Sequence, residues 1–102
     1  MTADPVPEVQ LRRYQLAPGT VDDFVGAWRR LVAVREQYGF RVEFAVVDRD
    51  AEQFVWAVSH VDGFAAAEEA YYASPERAAL PVDPAVYIVD KYITMVQPEQ
   101  LR

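Results

Sequence analysis

A lone histidine is the first residue of this chain that suggests chemistry. His60 is the only histidine, and it falls near the end of a predicted strand, where an imidazole can act as a general base or as a hydrogen-bond donor in a pocket. No nucleophile or carboxylate lies at a recognisable catalytic spacing from it. A partly exposed histidine at a strand end is therefore the competing interpretation.

A second candidate is the pair Arg12 and Tyr14. The two residues are two positions apart in a predicted strand, so their side chains lie on the same face of the sheet, where they are suited to orient an anionic or phenolic ligand. The structural alternative pairs Arg12 with Asp90 or Glu43 and places the Tyr14 ring in the core. Together with His60, these two residues are the candidate catalytic residues.

Aromatic side chains provide the walls that a cavity for a flat apolar ligand needs. The predicted ligand-binding residues are Trp56, Tyr71 and Tyr92. Trp28 is predicted to be a core residue, because it lies on a regular helical stripe. The strand that carries Trp56 can turn this side chain either to the helices or to a partner subunit.

Composition and absent motifs exclude several classes of function. The chain has 102 residues and no cysteine, so disulfides, zinc–thiolate sites and thiol catalysis are excluded. Its formal net charge of -6 disfavours nucleic acid as a partner. It has no phosphate-binding glycine motif, no serine-hydrolase motif and no paired histidines, so we predict no metal and no cofactor. No segment has the pattern of a membrane span or a secretory signal, so we expect a cytoplasmic protein without membrane association.

The elements that must position these residues follow from hydrophobic periodicity. We predict a flexible arm at 1–8, one domain at 9–98 and a tail at 99–102. The domain is predicted to contain strands at 9–16, 40–46, 53–61 and 86–96, helices at 21–38 and 63–73, and a short helical turn ending at residue 80. Thr20 and Asp62 are the predicted N-caps of the two helices, and Gly39 is the predicted stop of the first. The order is that of an α+β, ferredoxin-like βαββαβ fold, with two helices on one face of a four-stranded antiparallel sheet.

Two of the predicted strands are apolar on both faces. In the third strand, Phe54, Trp56 and Val58 alternate with Val55, Ala57 and Val61; in the fourth, Val89, Ile93 and Met95 alternate with Ile88, Tyr92 and Val96. A large exposed apolar face is rare on a soluble monomer. We therefore predict a homodimer in which two sheets pack face to face.

Residues 9–19, VQLRRYQLAPG, resemble the opening of NIPSNAP-like proteins, a strand with Leu-Arg, then Tyr, then Leu, followed by Pro-Gly. The similarity continues at positions where that family tends to place an aromatic residue, a tryptophan, an arginine and a glycine, and again at YASPERAAL, 72–80. In this chain those positions are Phe24, Trp28, Arg35 and Gly39, and Trp56 also fits. The resemblance implies a dimeric α+β barrel. It also implies kinship with antibiotic biosynthesis monooxygenases, which oxidise aromatic compounds without a metal or flavin in a cavity between sheet and helices.

Two classes of function remain open. The first is a cofactor-free oxygenase, isomerase or cyclase that holds a small apolar or aromatic compound in such a cavity. The second is a non-catalytic homodimeric module that binds a ligand or a protein. An RNA-recognition motif has the same element order, but the predicted third strand lacks the basic and glycine positions that such domains use. A cavity of about 300 Å³ or more beside the third strand would favour the enzyme.

Overall fold

The computed structural model describes residues 6–99. Its elements are β1 (Glu8–Leu16), α1 (Val21–Gln37), β2 (Arg41–Asp48), β3 (Gln53–His60), α2 (Phe64–Tyr72), α3 (Pro75–Ala78), a 3₁₀ turn (Pro84–Tyr87) and β4 (Ile88–Val96). The strands form one antiparallel sheet in the order β2-β3-β1-β4. The predicted ferredoxin-like βαββαβ fold is confirmed.

The ends of the domain differ in detail from the prediction. Most of the predicted arm, 1–8, and of the predicted tail, 99–102, lies outside the described residues. Glu8, assigned to the arm, instead opens β1. Its Oε1 accepts a hydrogen bond of 3.1 Å from the Phe64 amide at the start of α2. The prediction that Asp62 is the N-cap residue of α2 is wrong, because Gly63 occupies that position. The φ of Gly63 is 77°, and glycine has no side chain that could accept a hydrogen bond from the helix.

Thr20 and Gly39 lie at the two ends of α1, as predicted. Thr20 is the N-cap residue, but its hydroxyl donates to the Ala17 carbonyl at 2.7 Å and so stabilises the preceding turn rather than the helix. Gly39 ends the helix as predicted. Its φ of 87° lies in the left-handed region that glycine adopts without strain.

Strand register decides which side chains face the helices. In β1 the helix-facing residues include Arg12 and Tyr14, which lie opposite Trp56 and Phe54 of β3. All four side chains are buried. Trp56 therefore points to the helices and not to the other face of the sheet.

The fourth strand departs from simple alternation. The pairing of β1 with β4 shifts between Gln15 and Leu16, so that Ile88 lies opposite Leu16 while Ile93 lies opposite Arg12. Ile88 and Ile93 consequently both face the helices. Simple alternation had predicted that Ile88 lies on the same face as Tyr92, opposite to that of Ile93. The prediction was wrong here because a bulge adds a residue and reverses the faces beyond it.

The core is built largely from aromatic rings in edge-to-face contact. Phe24 of α1 packs against Tyr14 and Phe54, with ring centroids 5.7 and 5.0 Å apart. Trp28 packs against Phe54 and Trp56 at 5.0 and 5.5 Å. Such pairs add about 0.5–1.5 kcal/mol each to the free energy of apolar burial. They fix α1 over β1 and β3.

The opposite face of the sheet is uncovered and partly apolar. Phe44 and Val46 of β2 and Tyr92 and Val96 of β4 are 45%, 56%, 57% and 37% exposed. Within residues 6–99 no helix has both the length and the apolar character needed to cross a membrane. In the same range, no group of three or more histidine, cysteine, aspartate or glutamate side chains could hold a metal ion.

Candidate functional site

A cavity of about 150 Å³ lies between the helix-facing side of the sheet and the segments that cover it. Its volume is about half of the ~300 Å³ at which ordinary ligand pockets begin, but a space of this size accommodates one aromatic ring. Its walls come from β1, β3, β4, all three helices and the segment around the 3₁₀ turn. The lining residues are Arg12, Tyr14, Phe24, Trp28, Leu31, Arg35, Trp56, Tyr71, Tyr72, Arg77, Asp83, Pro84, Ala85, Ile88 and Lys91.

Four of the six predicted site residues line the cavity, and the other two lie elsewhere. Arg12, Tyr14, Trp56 and Tyr71 line the cavity. Tyr92 lies on the uncovered face of the sheet, opposite Arg13 of β1, and is 57% exposed.

The last predicted residue, His60, lies at the end of β3, where both of its ring nitrogens are engaged. Nε2 lies 2.9 Å from the Tyr38 carbonyl, to which it donates, and Nδ1 accepts a hydrogen bond of 3.0 Å from the Asp62 amide. This bonding assigns the proton to Nε2. The ring also packs edge-on against Phe40, 5.0 Å between centroids. The geometry favours the structural interpretation, in which His60 joins the ends of α1 and β3.

Arg12 is held by its own strand and by α2. Its Nε donates to the Tyr14 hydroxyl at 2.5 Å and its Nη1 to Gln10 Oε1 at 2.6 Å. Its carboxylate neighbour is Glu68, at 3.8 Å, and not Asp90 or Glu43. Burial opposes the charge of Arg12, but the oxygens of Tyr14 and, less strongly, Tyr72 outweigh it and raise the guanidinium pKa.

Arg35 is the main residue that the functional interpretation of the sequence missed. Only 2% of it is exposed, and its guanidinium carbon lies 4.5 Å from the Tyr71 ring centroid and 5.0 Å from that of Phe40. Its Nη2 lies 3.4 Å from Glu68 Oε2. The sequence contained a signal for this residue. Arg35 follows Trp28 by seven positions, so it lies on the apolar stripe of α1. Arginine on such a stripe is unusual, since it is seldom fully buried without a partner.

Arg77 adds a third guanidinium from the short helix α3. Ser74 caps this helix, its hydroxyl accepting from the Arg77 amide at 3.1 Å, and Pro75 follows at the first turn. The Arg77 guanidinium carbon lies 4.8 Å from the Tyr72 ring centroid and 5.6 Å from that of Tyr71. Its Nη2 is 3.7 Å from Asp83 Oδ2. The predicted short helical turn before residue 80 is present as α3, but the place of Arg77 in the cavity depends on how α3 packs.

Several side chains that line the cavity carry buried polar atoms without hydrogen-bond partners. Among residues 6–99, the buried side-chain nitrogen and oxygen atoms without a hydrogen-bond partner are Trp28 Nε1, Arg35 Nε, Trp56 Nε1, Tyr71 Oη and Arg77 Nε. All five belong to residues that line this cavity. Burial raises the pKa of Tyr71, although Arg35 and Arg77 partly offset the shift, so its hydroxyl remains protonated near neutral pH. The site can stabilise negative charge and donate hydrogen bonds.

Comparison with solved structures identifies the fold, although no family profile and no curated protein matches the sequence. An uncharacterized NIPSNAP domain protein from Burkholderia xenovorans is 19% identical over 93% of this chain and 97% of that one, with a TM-score of 0.78. A NIPSNAP family protein from Agrobacterium tumefaciens is 14% identical over 94% and 96%, with a TM-score of 0.80. SnoaB, a cofactor-independent oxygenase from Streptomyces nogalater, is 19% identical over 96% of both chains, with a TM-score of 0.67. The chain therefore has the fold of NIPSNAP-family proteins and antibiotic biosynthesis monooxygenases, in agreement with the resemblance of its first strand.

Proposed function

We propose that this chain binds a small aromatic compound in the cavity between its sheet and helices. The observation that carries the proposal is that the five unpartnered buried polar atoms found within residues 6–99 all belong to side chains that line this one cavity. A buried polar group without a partner costs about 1–3 kcal/mol, and native proteins contain few of them. Their concentration in side chains that surround one aromatic cavity favours that cavity as the place where a polar aromatic molecule binds.

For the reaction, we favour cofactor-free oxygenation, with isomerisation and cyclisation as alternatives. Each can proceed through an enolate or phenolate, and the guanidiniums of Arg12 and Arg35 are suited to stabilise such an oxygen as its charge develops. Arg12 and Tyr14 are then the candidate catalytic residues at the substrate. The similarity in fold to SnoaB, which is a cofactor-independent oxygenase, supports this choice.

A non-catalytic ligand-binding module is the second candidate. Two observations favour it: the cavity is only about 150 Å³, and Asp83, the sole carboxylate among the lining residues of the described part of the chain, faces Arg77 at 3.7 Å. Among the described lining residues this leaves no unpaired carboxylate that could take a proton from a substrate. In this alternative the cavity binds its ligand without changing it.

Binding can be measured with the natural fluorescence of the protein, because the chain has two tryptophans and both line the cavity. Toluene, catechol and benzoate serve as one-ring probes, and at least one should change the fluorescence saturably. Ala85→Phe introduces a ring at an exposed lining position and should abolish the change, while Ala66→Phe, at an exposed position on α2, should preserve it. No saturable change with any probe would contradict the binding proposal.

The same samples separate the enzyme from the module. Oxygen uptake is followed with bound catechol in the presence of a metal chelator. Uptake above the rate in buffer, lost in Ala85→Phe, supports a cofactor-free oxygenase. Uptake at the buffer rate, together with retained binding, favours the module or a reaction that does not use oxygen.

We also propose that the chain forms a homodimer through its uncovered sheet face. The exposed Phe44, Val46, Tyr92 and Val96 on that face support it, as does the dimeric barrel that the sequence resemblance implies. Light scattering at micromolar concentration should give the mass of a dimer. Val46→Lys should give a monomer, because it places a charge in the buried contact. Val86→Lys, at a position 69% exposed and outside the sheet, is the matched control. A monomeric wild-type protein would overturn the proposal.

A further inference from the structure

We infer that the cavity takes an aromatic carboxylate, whose anionic group is bound by Arg35 and Arg77. The inference rests on the proposed function, since it names the chemical class of the compound that the cavity binds. Three observations support it: the charge of the walls, the burial of the guanidiniums and the excess of donors.

The walls carry more positive than negative charge. Four lining side chains are cationic, namely Arg12, Arg35, Arg77 and Lys91, and one, Asp83, is anionic. Glu68 does not line the cavity, but it lies 3.8 Å from Arg12 and 3.4 Å from Arg35 and adds a second carboxylate. Four cations against two carboxylates leave an excess of two positive charges, in a chain whose net charge is -6. A cavity with such walls attracts anions and repels cations.

The two guanidiniums that we propose as the anion-binding groups are buried to different extents. Arg35 is 2% exposed, and its contacts with Glu68 Oε2 are long, 3.5 Å from Nη1 and 3.4 Å from Nη2. The Arg77 side chain is 26% exposed. Both lie within 6 Å of the ring centroids of Tyr71 and Tyr72, Arg35 at 4.5 and 5.7 Å and Arg77 at 5.6 and 4.8 Å. Both charges therefore lie at the end of the cavity formed by α2 and α3. Each has one carboxylate neighbour at a long distance, Glu68 at 3.4 Å from Arg35 and Asp83 at 3.7 Å from Arg77, so an anion that approaches more closely would stabilise them further.

The lining side chains with unpartnered atoms indicate which kind of hydrogen-bonding group a ligand should carry. Of the five within the described range, four are N–H groups that can only donate, on Trp28, Trp56, Arg35 and Arg77. Side chains with unused donors favour a ligand that offers acceptors, and a carboxylate offers two oxygens with about four lone-pair positions. Water also offers acceptors, but it does not neutralise the excess charge. Because the rest of the wall is aromatic and the volume fits one ring, the structure points to a carboxylate attached to an aromatic ring.

Benzoate and benzamide provide a matched pair of probes, since they share a ring and a planar shape and differ in charge. Their affinities are measured from the two tryptophan indole N–H signals in NMR spectra of ¹⁵N-labelled protein. We expect benzoate to bind about tenfold more tightly than benzamide or better, because hydrogen bonds to a charged group are stronger than those between neutral groups.

Two arginine variants test which side chains bind the carboxylate of the ligand. Arg77→Met should weaken benzoate binding about tenfold and leave benzamide binding nearly unchanged, while Arg30→Met, at an exposed position on α1, should change neither. Arg35→Met should have the same effect as Arg77→Met; if it does not fold, the more exposed Arg77 still decides the test. Equal affinity for benzoate and benzamide, or benzoate binding unaffected by Arg77→Met, overturns the inference and leaves the proposed binding function standing. Absence of binding by both probes and by toluene and catechol overturns the proposed function as well.

Discussion

Glu68 is the carboxylate on which two buried guanidiniums depend. Its Oε2 lies 3.4 Å from Arg35 Nη2 and 3.8 Å from Arg12 Nη1, and these arginine side chains are only 2% and 10% exposed. Glu68→Gln keeps the size and shape of the side chain but removes its charge. The substitution should therefore leave both guanidiniums buried without their counter-ion.

The expected loss of stability follows from this geometry. Breaking a fully buried ion pair by removing one partner costs about 3–5 kcal/mol. Glu68 is 22% exposed and its contacts are long, so solvent screens part of the interaction, and glutamine still accepts a hydrogen bond. We therefore expect a loss of about 2 kcal/mol, which in a domain of this size lowers the melting temperature by about 10 °C.

Thermal unfolding followed by far-ultraviolet circular dichroism measures this loss. Glu69→Gln is the matched control, because Glu69 is exposed on the same helix and the charge change is identical; it should alter stability by less than about 0.5 kcal/mol. Benzoate should stabilise Glu68→Gln more than the wild type, since it returns a negative charge to the arginines. Equal melting temperatures for the two variants would refute the account of Glu68.

Two further predictions concern packing and pH. Gly39→Ala should destabilise the protein by about 2–3 kcal/mol. About 1–2 kcal/mol of this is the strain of alanine in the left-handed backbone region. The rest comes from displacement of His60, whose Nε2 would lie 2.7 Å from the new methyl group. Gly19→Ala should show the strain alone, because its φ is also positive, at 77°, but nothing lies within 4 Å; equal losses in chemical denaturation would contradict the contact. Because burial raises the pKa of Tyr71 above its ordinary 10.0, its contribution to stability is complete below pH 10.0 and is lost as pH rises through the folded-state pKa. Tyr71→Phe should reduce this alkaline loss, and an unchanged stability–pH curve above pH 10.0 would refute the assignment.

Much of the fold could be predicted because its signals are local. Alternation of apolar and polar residues placed Arg12 and Tyr14 on one face of β1, and Gly39 marked the end of α1. The face of Ile88 was assigned incorrectly because the β-bulge in the pairing with β1 has no signal in simple alternation. The Glu8 contact with the start of α2 joins residues 56 positions apart, which local patterns do not reveal.

The candidate site could be predicted only in part. Arg12 and Glu68 come from β1 and α2, and the partner of a buried arginine depends on how these elements pack. Arg35 carried a detectable signal, as a charged residue on the apolar stripe of α1. His60 was a reasonable catalytic candidate from its residue type, but its two ring nitrogens bond to the backbone at Tyr38 and Asp62. Only tertiary structure reveals these contacts.

The central claim is that a small aromatic molecule binds in the cavity lined by Trp28, Trp56, Arg35 and Arg77. NMR spectra of the ¹⁵N-labelled protein, recorded during a titration with benzoate, test this claim most directly. The two tryptophans give two indole N–H signals, one from α1 and one from β3. Saturable shifts of both signals in the wild type, absent in Ala85→Phe, are the predicted result. Indole signals that stay fixed up to the solubility limit of benzoate, or that shift equally in Ala85→Phe, would contradict the claim.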